Sequence, residues 1–472
     1  MFKRFLCAVL ATLFLALALP FAVQAKGAEA PELKSESAIV YSLNSGDVIF
    51  SKNAEESRAP ASLTKITTTM TVLSMCDDPD NTRITVPDAG LFDEITAVGG
   101  SNIELQVGET LTVTELLYAV MLPSACDACN VLAYHFGNGS ISAFVSEMNR
   151  WALEAGATQT NFQNAHGLDA PGHVSSAADT AKIILKAMEN ERFVEIINSL
   201  EYIIPENALH AKRYVNYQTT IPMLYEYYAE YYRGLVGIKS GYTLEAKCCL
   251  STMAERDGER FLVVTLGAER GDGVNHARTD AAALYDWLFE NFETKTLETA
   301  NTALKTVEVS DAMSDTADLV LHEDLVVCYN KNLGEPTLRY DVKKPLAPPF
   351  DEEAGTLEVV QDDTVLSCVP LYFETVPVAA PLPDAPVTDG ENDLSSSPLP
   401  TLGIVVVIIV LLVFFLGFCL VLLTRPPKKR RPAPRKNGVH PAQRNALPSQ
   451  RRPQPPTTPT RRPPQGGGRR QG

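Results

Sequence analysis

Ser62 and Lys65 stand three residues apart in Ala59-Pro60-Ala61-Ser62-Leu63-Thr64-Lys65, a spacing that sets a hydroxyl and an amine on one face of a helix. Pro60, ahead of apolar residues at Leu63, Ile66, Met70 and Leu73, marks the helix start, so Ser62 falls in the first turn. The chemistry implied is nucleophilic. A serine hydroxyl is a poor nucleophile near neutral pH and needs a base, and the positive end of the helix dipole favours an oxyanion formed beside it. No Ser/His/Asp set is placed to supply the base. Lys65 serves if its pKa is lowered, and a second lysine in the cleft does that, because two ammonium groups disfavour each other's charge. Lys239, in Lys239-Ser240-Gly241, is that second lysine. Gly241 lets a strand edge approach a substrate closely, and the backbone N–H groups of Ser62 and Tyr242 make an oxyanion hole. Between these two elements stands Ser124-Ala125-Cys126.

The elements that must position these residues are legible as pattern. Residues 38–43 read as a strand, Asn44-Ser45-Gly46-Asp47 as a turn and 48–50 as the returning strand, a β-hairpin. Helices are expected from near Ser62 and over 113–121, 128–136, 142–155 and 177–189; 237–240 and 250–253 bracket a turn; 261–266 is a strand and 277–292 an amphipathic closing helix. Strands at both ends with helices between predict one α+β domain whose antiparallel sheet is built from the two ends. After residue 298 the pattern changes to short strands at 306–309, 319–321, 325–329, 356–360 and 365–368, a small all-β domain.

The ends of the chain are different in kind. Lys3 and Arg4, an apolar run from Phe5 to Val23 and Val23-Gln24-Ala25 read as a secretory signal peptide. A second uncharged apolar run, Leu402 to Leu423, is about long enough to cross a bilayer at about 1.5 Å per residue. Arg425, Lys428, Lys429, Arg430 and Arg431 behind it put that end in the cytoplasm. The expected organisation is a signal peptide at 1–25, a catalytic domain at 26–297, an all-β domain at 298–375, a Pro/Ser/acidic linker at 376–401, a transmembrane helix at 402–424 and a basic, disordered tail at 425–472.

The net charge of −16 hides a division. The tail holds 14 Lys and Arg and no acids, and two more basic residues lie in the signal, leaving 25 basic against 57 acidic residues between 26 and 401. So acidic a surface excludes general nucleic-acid binding, whereas the basic tail suits anionic lipid head groups. Seven of the nine cysteines lie in that outer region, an odd number without the density of a disulfide framework. Cys126-x-x-Cys129 has the spacing of a metal or redox pair, but no matching second pair with His accompanies it, so no metal is expected.

The three motifs, with Ala38-Ile-Val-Tyr-Ser-Leu-Asn-Ser-Gly before them and Asn164-Ala-His-Gly-Leu168 and Pro171-Gly-His173 between, resemble the D-alanyl-D-alanine carboxypeptidases of the low-molecular-mass penicillin-binding proteins. The resemblance covers roughly residues 35–293 and, more loosely, the β domain. It implies a penicilloyl-serine-transferase fold, reaction with β-lactam antibiotics, and removal of the last D-alanine from a peptidoglycan stem pentapeptide on the outer face of the membrane, without cofactor. Carried over, Ser62 is the nucleophile, Lys65 its base and Ser124 the relay to the leaving amine. Lys239 and Ser240 hold the substrate carboxylate, with Arg278 as a loosely matched addition. Two residues depart from the pattern: Ser240 stands for the usual Thr, and Cys126 for the usual Asn. A thiol hydrogen-bonds poorly, which leaves a weakly active or non-catalytic penicillin-binding protein as one alternative and an endopeptidase of the same fold as another. Asn130, one turn on, is the candidate to compensate. A class A β-lactamase is disfavoured, since no Glu-x-x-x-Asn occurs between Ser124 and Lys239.

Overall fold

The structure is a computed structural model that describes residues 29–381 apart from 89, 208, 210–217, 272 and 345. The expected signal peptide, transmembrane helix and basic tail, and nearly all of the linker, lie outside the described residues. Among the described residues no helix is long and apolar enough to cross a membrane.

The hairpin comes first, as β1 (Ser37–Ser42) and β2 (Val48–Lys52). Helices α1 (Thr64–Met75), α2 (Asp93–Val98), α3 (Val113–Met121), α4 (Cys126–Phe136), α5 (Ile141–Glu154), α6 (Ala177–Ala187) and α7 (Glu191–Ile197) follow. The chain then returns through β5 (Leu235–Thr243), β6 (Lys247–Arg256), β7 (Glu259–Ala268) and α8 (His276–Asn291); two short strands, β3 (Arg83–Thr85) and β4 (Thr110–Thr112), pair before α3. The main sheet is antiparallel in the order β2-β1-β7-β6-β5, so strands from both ends of the domain meet at its centre.

Alternation of side chains along a strand explains why that sheet is buried on both faces. Ala38, Val40, Phe261, Val263 and Leu250 pack with Ala277, Ala281, Leu284 and Leu288 of α8. Ile39, Leu262, Val264 and Leu266 point the other way, into the helical cluster. α1 lies at the centre of that cluster and is buried from Thr64 to Val72. Two of its threonine hydroxyls are satisfied, Thr71 Oγ1 donating to the Thr67 carbonyl at 2.8 Å and Thr68 Oγ1 to the Ala165 carbonyl at 2.6 Å, while those of Thr67 and Thr69 are buried without a partner among the described residues.

The second module carries all five expected strands, and two more. Lys305–Glu308, Thr316–Val320, Thr364–Phe373, Glu353–Gln361 and Thr337–Val342 form one antiparallel sheet in that order over Leu319, Val327, Leu357, Val359 and Leu371. Phe292–Glu298 pairs with Leu325–Asn330, so the module's first strand starts before the expected boundary at 298. Thr337–Val342 carries a clear strand pattern, Thr-Leu-Arg-Tyr-Asp-Val, alternating polar and apolar as it alternates exposed and half-buried, and is simply missing from the expected set, whereas Phe292–Glu298 is mostly polar. The module docks through Thr294, whose amide and hydroxyl both donate to Glu259 (2.7 and 2.6 Å), and Asn332, which donates to Asn291 (2.7 Å).

Candidate active site

Ser62 sits in a single 3₁₀ turn, Ala61–Leu63, and α1 begins only at Thr64. The displacement from a regular first turn follows from Ala61, whose φ of +48° is left-handed. Gly167, in the Asn164-Ala-His-Gly-Leu168 segment, fits against that turn: with φ +82°, any Cβ there would fall 2.0 Å from the Ala61 carbonyl oxygen. Thr64 Oγ1 donates to the same carbonyl at 2.8 Å and lies 2.8 Å from His173 Nε2. His173 Nδ1 accepts from the Gln163 amide at 2.9 Å, so the proton is on Nε2 and points at Thr64. Burial pushes the His173 pKa to about 4, with the neighbouring charges of His166 and Lys65 adding to it; the ring is a neutral prop for the Ser62 turn.

Lys65 is fully buried, and its ammonium uses all three donors: 3.1 Å to Ser62 Oγ, 3.4 Å to Cys126 Sγ and 2.5 Å to the His166 carbonyl. His166 is fixed in turn. Its Nδ1 accepts from the Leu168 amide at 3.2 Å and its Nε2 lies 3.0 Å from Glu94 on α2. Burial lowers the His166 pKa, so this contact is a neutral N–H donating to a carboxylate. It holds Glu94 near pKa 2, although the Glu94 side chain is largely exposed and water screens the effect.

Ser124 occupies a left-handed backbone, φ +66°, which a non-glycine residue holds only when its surroundings fix it. The Ala125 amide donates to Ala119 (2.9 Å) and the Cys126 amide to Ser101 (2.7 Å). The Ser124 hydroxyl is buried without a hydrogen-bond partner among the described residues. Asp127, one residue into α4, accepts from the amides of Ile103, Leu105 and Ala128 and ties the 101–105 loop over the helix. Cys129 donates to the Ala125 carbonyl at 3.2 Å. Asn130 does not stand in for the missing amide: its Nδ2 donates to the Leu91 carbonyl and to Glu94, at 2.8 and 2.9 Å.

β5 brings the third motif to Ser62. A Cβ on Gly241 would lie 2.7 Å from the Ser62 nitrogen and 2.9 Å from Ala61 Cβ, so only glycine allows the strand this close. Lys239 is buried, its Nζ donating to the Ser240 carbonyl at 3.0 Å. Burial first and the Lys65 charge second push its pKa down to about 7. Ser240 is half-buried, and Tyr242 is exposed beneath the Arg270 guanidinium, 5.4 Å from its ring centroid. Arg278 pairs with Glu230 at 3.4 Å.

The structure thus joins Ser62, Lys65 and Cys126 in direct contact and sets Gly241 against them. Sequence reasoning missed the props: Glu94, Thr64 and Asp127 carry no spacing signal, while the His166 and His173 segments entered only as part of the family resemblance.

Residues 24–270 match the family model for D-alanyl-D-alanine carboxypeptidase, and residues 292–376 that for the penicillin-binding protein 5 C-terminal domain. The D-alanyl-D-alanine carboxypeptidase DacF of Bacillus subtilis is 31% identical over 343 residues, covering 72% of this chain and 84% of the relative. Penicillin-binding protein 5 of Haemophilus influenzae shares the fold, with a TM-score of 0.62 at 23% identity over 75% of this chain and 100% of that one. The Streptomyces K15 DD-transpeptidase aligns with a TM-score of 0.51 at 27% identity over 56% of this chain and all of the other. Solved variants of that enzyme replace a serine and, two positions on, a cysteine, the spacing of Ser124 and Cys126 here.

Proposed function

This chain belongs to the D-alanyl-D-alanine carboxypeptidase family and is a serine-type D-Ala-D-Ala carboxypeptidase; on that premise we propose that Ser62 is the acylated residue and that the groups gathered around it divide the work as follows. Ser62 Oγ attacks the carbonyl between the two D-alanines and Lys65, in its neutral form, takes the hydroxyl proton. The Ser62 and Tyr242 amides receive the oxyanion. The C–N bond breaks as Ser124 relays a proton to the leaving amine, and water then hydrolyses the ester. Lys239, Ser240 and Gly241 receive the substrate's terminal carboxylate at the cleft edge, and Arg278, held by Glu230, is at most an outer contact.

The observation that carries this reading is Lys65 Nζ 3.1 Å from Ser62 Oγ in a fully buried position. It supports a serine–lysine pair in which the base is shielded from bulk water. Penicillin is expected to label the same serine. On this reading the apolar segment 402–424 anchors residues 26–401 to the outer face of the membrane, facing the peptidoglycan stem peptide, with the basic tail against anionic lipid. Mass spectrometry of a synthetic stem peptide ending in D-Ala-D-Ala, incubated with the full chain, tests the assignment. Release of one D-alanine is expected from the native protein, and Ser62→Ala, still folded by its thermal melt, is expected to lose release and penicillin labelling by about a thousandfold or more. Labelling that persists in folded Ser62→Ala removes Ser62 from the role.

A further inference from the structure

The chain after residue 217 forms a strap built onto β5 at the third motif. The Thr219 amide donates to the Leu200 carbonyl at 3.0 Å, and Gln218 bridges Glu201. Ile221 and Leu224 close over Gly237, where a Cβ would fall 2.8 and 2.7 Å from their Cδ1 atoms. This packing delivers Thr220 to the motif: its Oγ1 lies 2.7 Å from Ser240 Oγ, and Ser240 Oγ is 3.5 Å from the Thr220 carbonyl. Thr220 is exposed and Ser240 half-buried, so the hydroxyl pair is reachable from the open side of the strand.

Ser240 lacks the β-methyl that restricts a threonine to few rotamers, so its own side chain does little to fix its hydroxyl. A carboxylate accepts hydrogen bonds and donates none, so a ligand there needs the Ser240 proton pointing outward. With the Ser240 proton spent on the ligand, the Thr220 hydroxyl is the donor to Ser240 Oγ, and the two bonds strengthen each other. We propose that Thr220 is a positioning residue for substrate binding, holding Ser240 in the rotamer that donates to the terminal carboxylate. The proposal rests on the reading that Lys239 and Ser240 receive that carboxylate.

The test is steady-state kinetics of the full chain on a peptide ending in D-Ala-D-Ala. Thr220→Val, nearly isosteric but without the hydroxyl, is expected to raise KM roughly five- to tenfold with a much smaller change in kcat. Adding Ser240→Thr to Thr220→Val is expected to restore most of the lost KM, because the new methyl fixes the rotamer that Thr220 no longer holds. An unchanged KM in folded Thr220→Val, or no recovery in the double variant, overturns the proposal. Ser240→Ala separates the two levels. If it raises KM while Thr220→Val does not, the Thr220 role alone fails. If neither changes KM, the carboxylate assignment fails and takes the Thr220 role with it.

Discussion

The cleft and the C-terminal module bury polar groups on different terms. In the cleft, Lys65 and Lys239 are 0% and 1% exposed, Ser124 keeps a left-handed backbone, and its hydroxyl is unpartnered among the described residues. In the module, Asn330 is fully buried with its Nδ2 unpartnered among the described residues, but the longer Gln361 beside it is satisfied at both ends. Its oxygen accepts from the Asn330 amide at 3.2 Å, and its nitrogen donates to the Asn330 and Gly334 carbonyls at 2.8 and 2.5 Å. Gln361 closes backbone groups that would otherwise be orphaned, so it works for the fold. The lysines sit where a charge is costly, and the stability lost there is spent on reactivity.

The comparison breaks first at Lys65. If its amine removes the Ser62 proton, Lys65→Arg keeps the charge but cannot deprotonate near neutral pH, and acylation by penicillin is expected to fall at least about a hundredfold. Rapid-quench labelling, with a thermal melt to verify folding, measures this. Near-normal acylation would make Lys65 a structural cation, no different in kind from Gln361.

Stability sharpens the contrast, with opposite signs for the two regions. Lys239 is depressed from 10.5 to about 7 in the folded protein. Between those values the unfolded chain binds a proton that the folded one does not, so stability rises with pH across that window and is fully reduced below about 7. Lys239→Met is therefore expected to stabilise the protein at pH 7, by up to about 4 kcal/mol, with the gain shrinking as pH approaches 10.5. Gln361→Leu is expected to destabilise by about 1–3 kcal/mol at any of these pH values, because it strands three backbone groups. Denaturant melts at pH 7 and pH 9.5 decide both. A Lys239→Met variant that is less stable than the native protein at pH 7 would mean that the buried lysine holds the cleft together.

What was legible in the sequence follows the same division. The near-continuous apolar runs at 38–43 and 261–266 and the Ser62–Lys65 spacing are local signals, and the sheet and the serine–lysine pairing were read from them. Lys239 was reached through its motif. The props were not legible, because they are made by contacts distant in sequence: Glu94 to His166 across 72 residues, Thr64 to His173 across 109, Leu105 to Asp127 across 22. Arg278 was reached only through a loose match, and its ion pair with Glu230 is a contact that the match gave no sign of. The strand Thr337–Val342 was legible, by its strict polar–apolar alternation, and was passed over, whereas Phe292–Glu298, mostly polar, offered little to read.

Cys126 is where the two terms of burial meet in one side chain. It is 2% exposed, as a small apolar core residue would be, yet its sulfur lies 3.4 Å from Lys65 Nζ. A thiol accepts a weak hydrogen bond, whereas an asparagine amide offers a strong acceptor to Lys65 and donors to a substrate. If the cleft is limited by that missing amide, Cys126→Asn is expected to raise carboxypeptidase turnover by up to about tenfold, the worth of one recovered neutral hydrogen bond. The neighbourhood argues for a smaller gain. The sulfur sits among Lys65, the Ser124 carbonyl and a helix whose next turn carries the buried Cys129, and an amide brought into so closed a site needs partners for both its ends. The nitrogen of Asn130, one turn further along α4, is already committed to Leu91 and Glu94, which leaves only its unpartnered Oδ1 uncommitted. Turnover of the two proteins on the same D-Ala-D-Ala peptide, in reducing and oxidising buffer, reads the balance. A gain in both buffers identifies the thiol as a catalytic shortfall. A loss in both shows that the helix start is packed around sulfur, and that Cys126 serves the fold of the cleft as Gln361 serves that of the module.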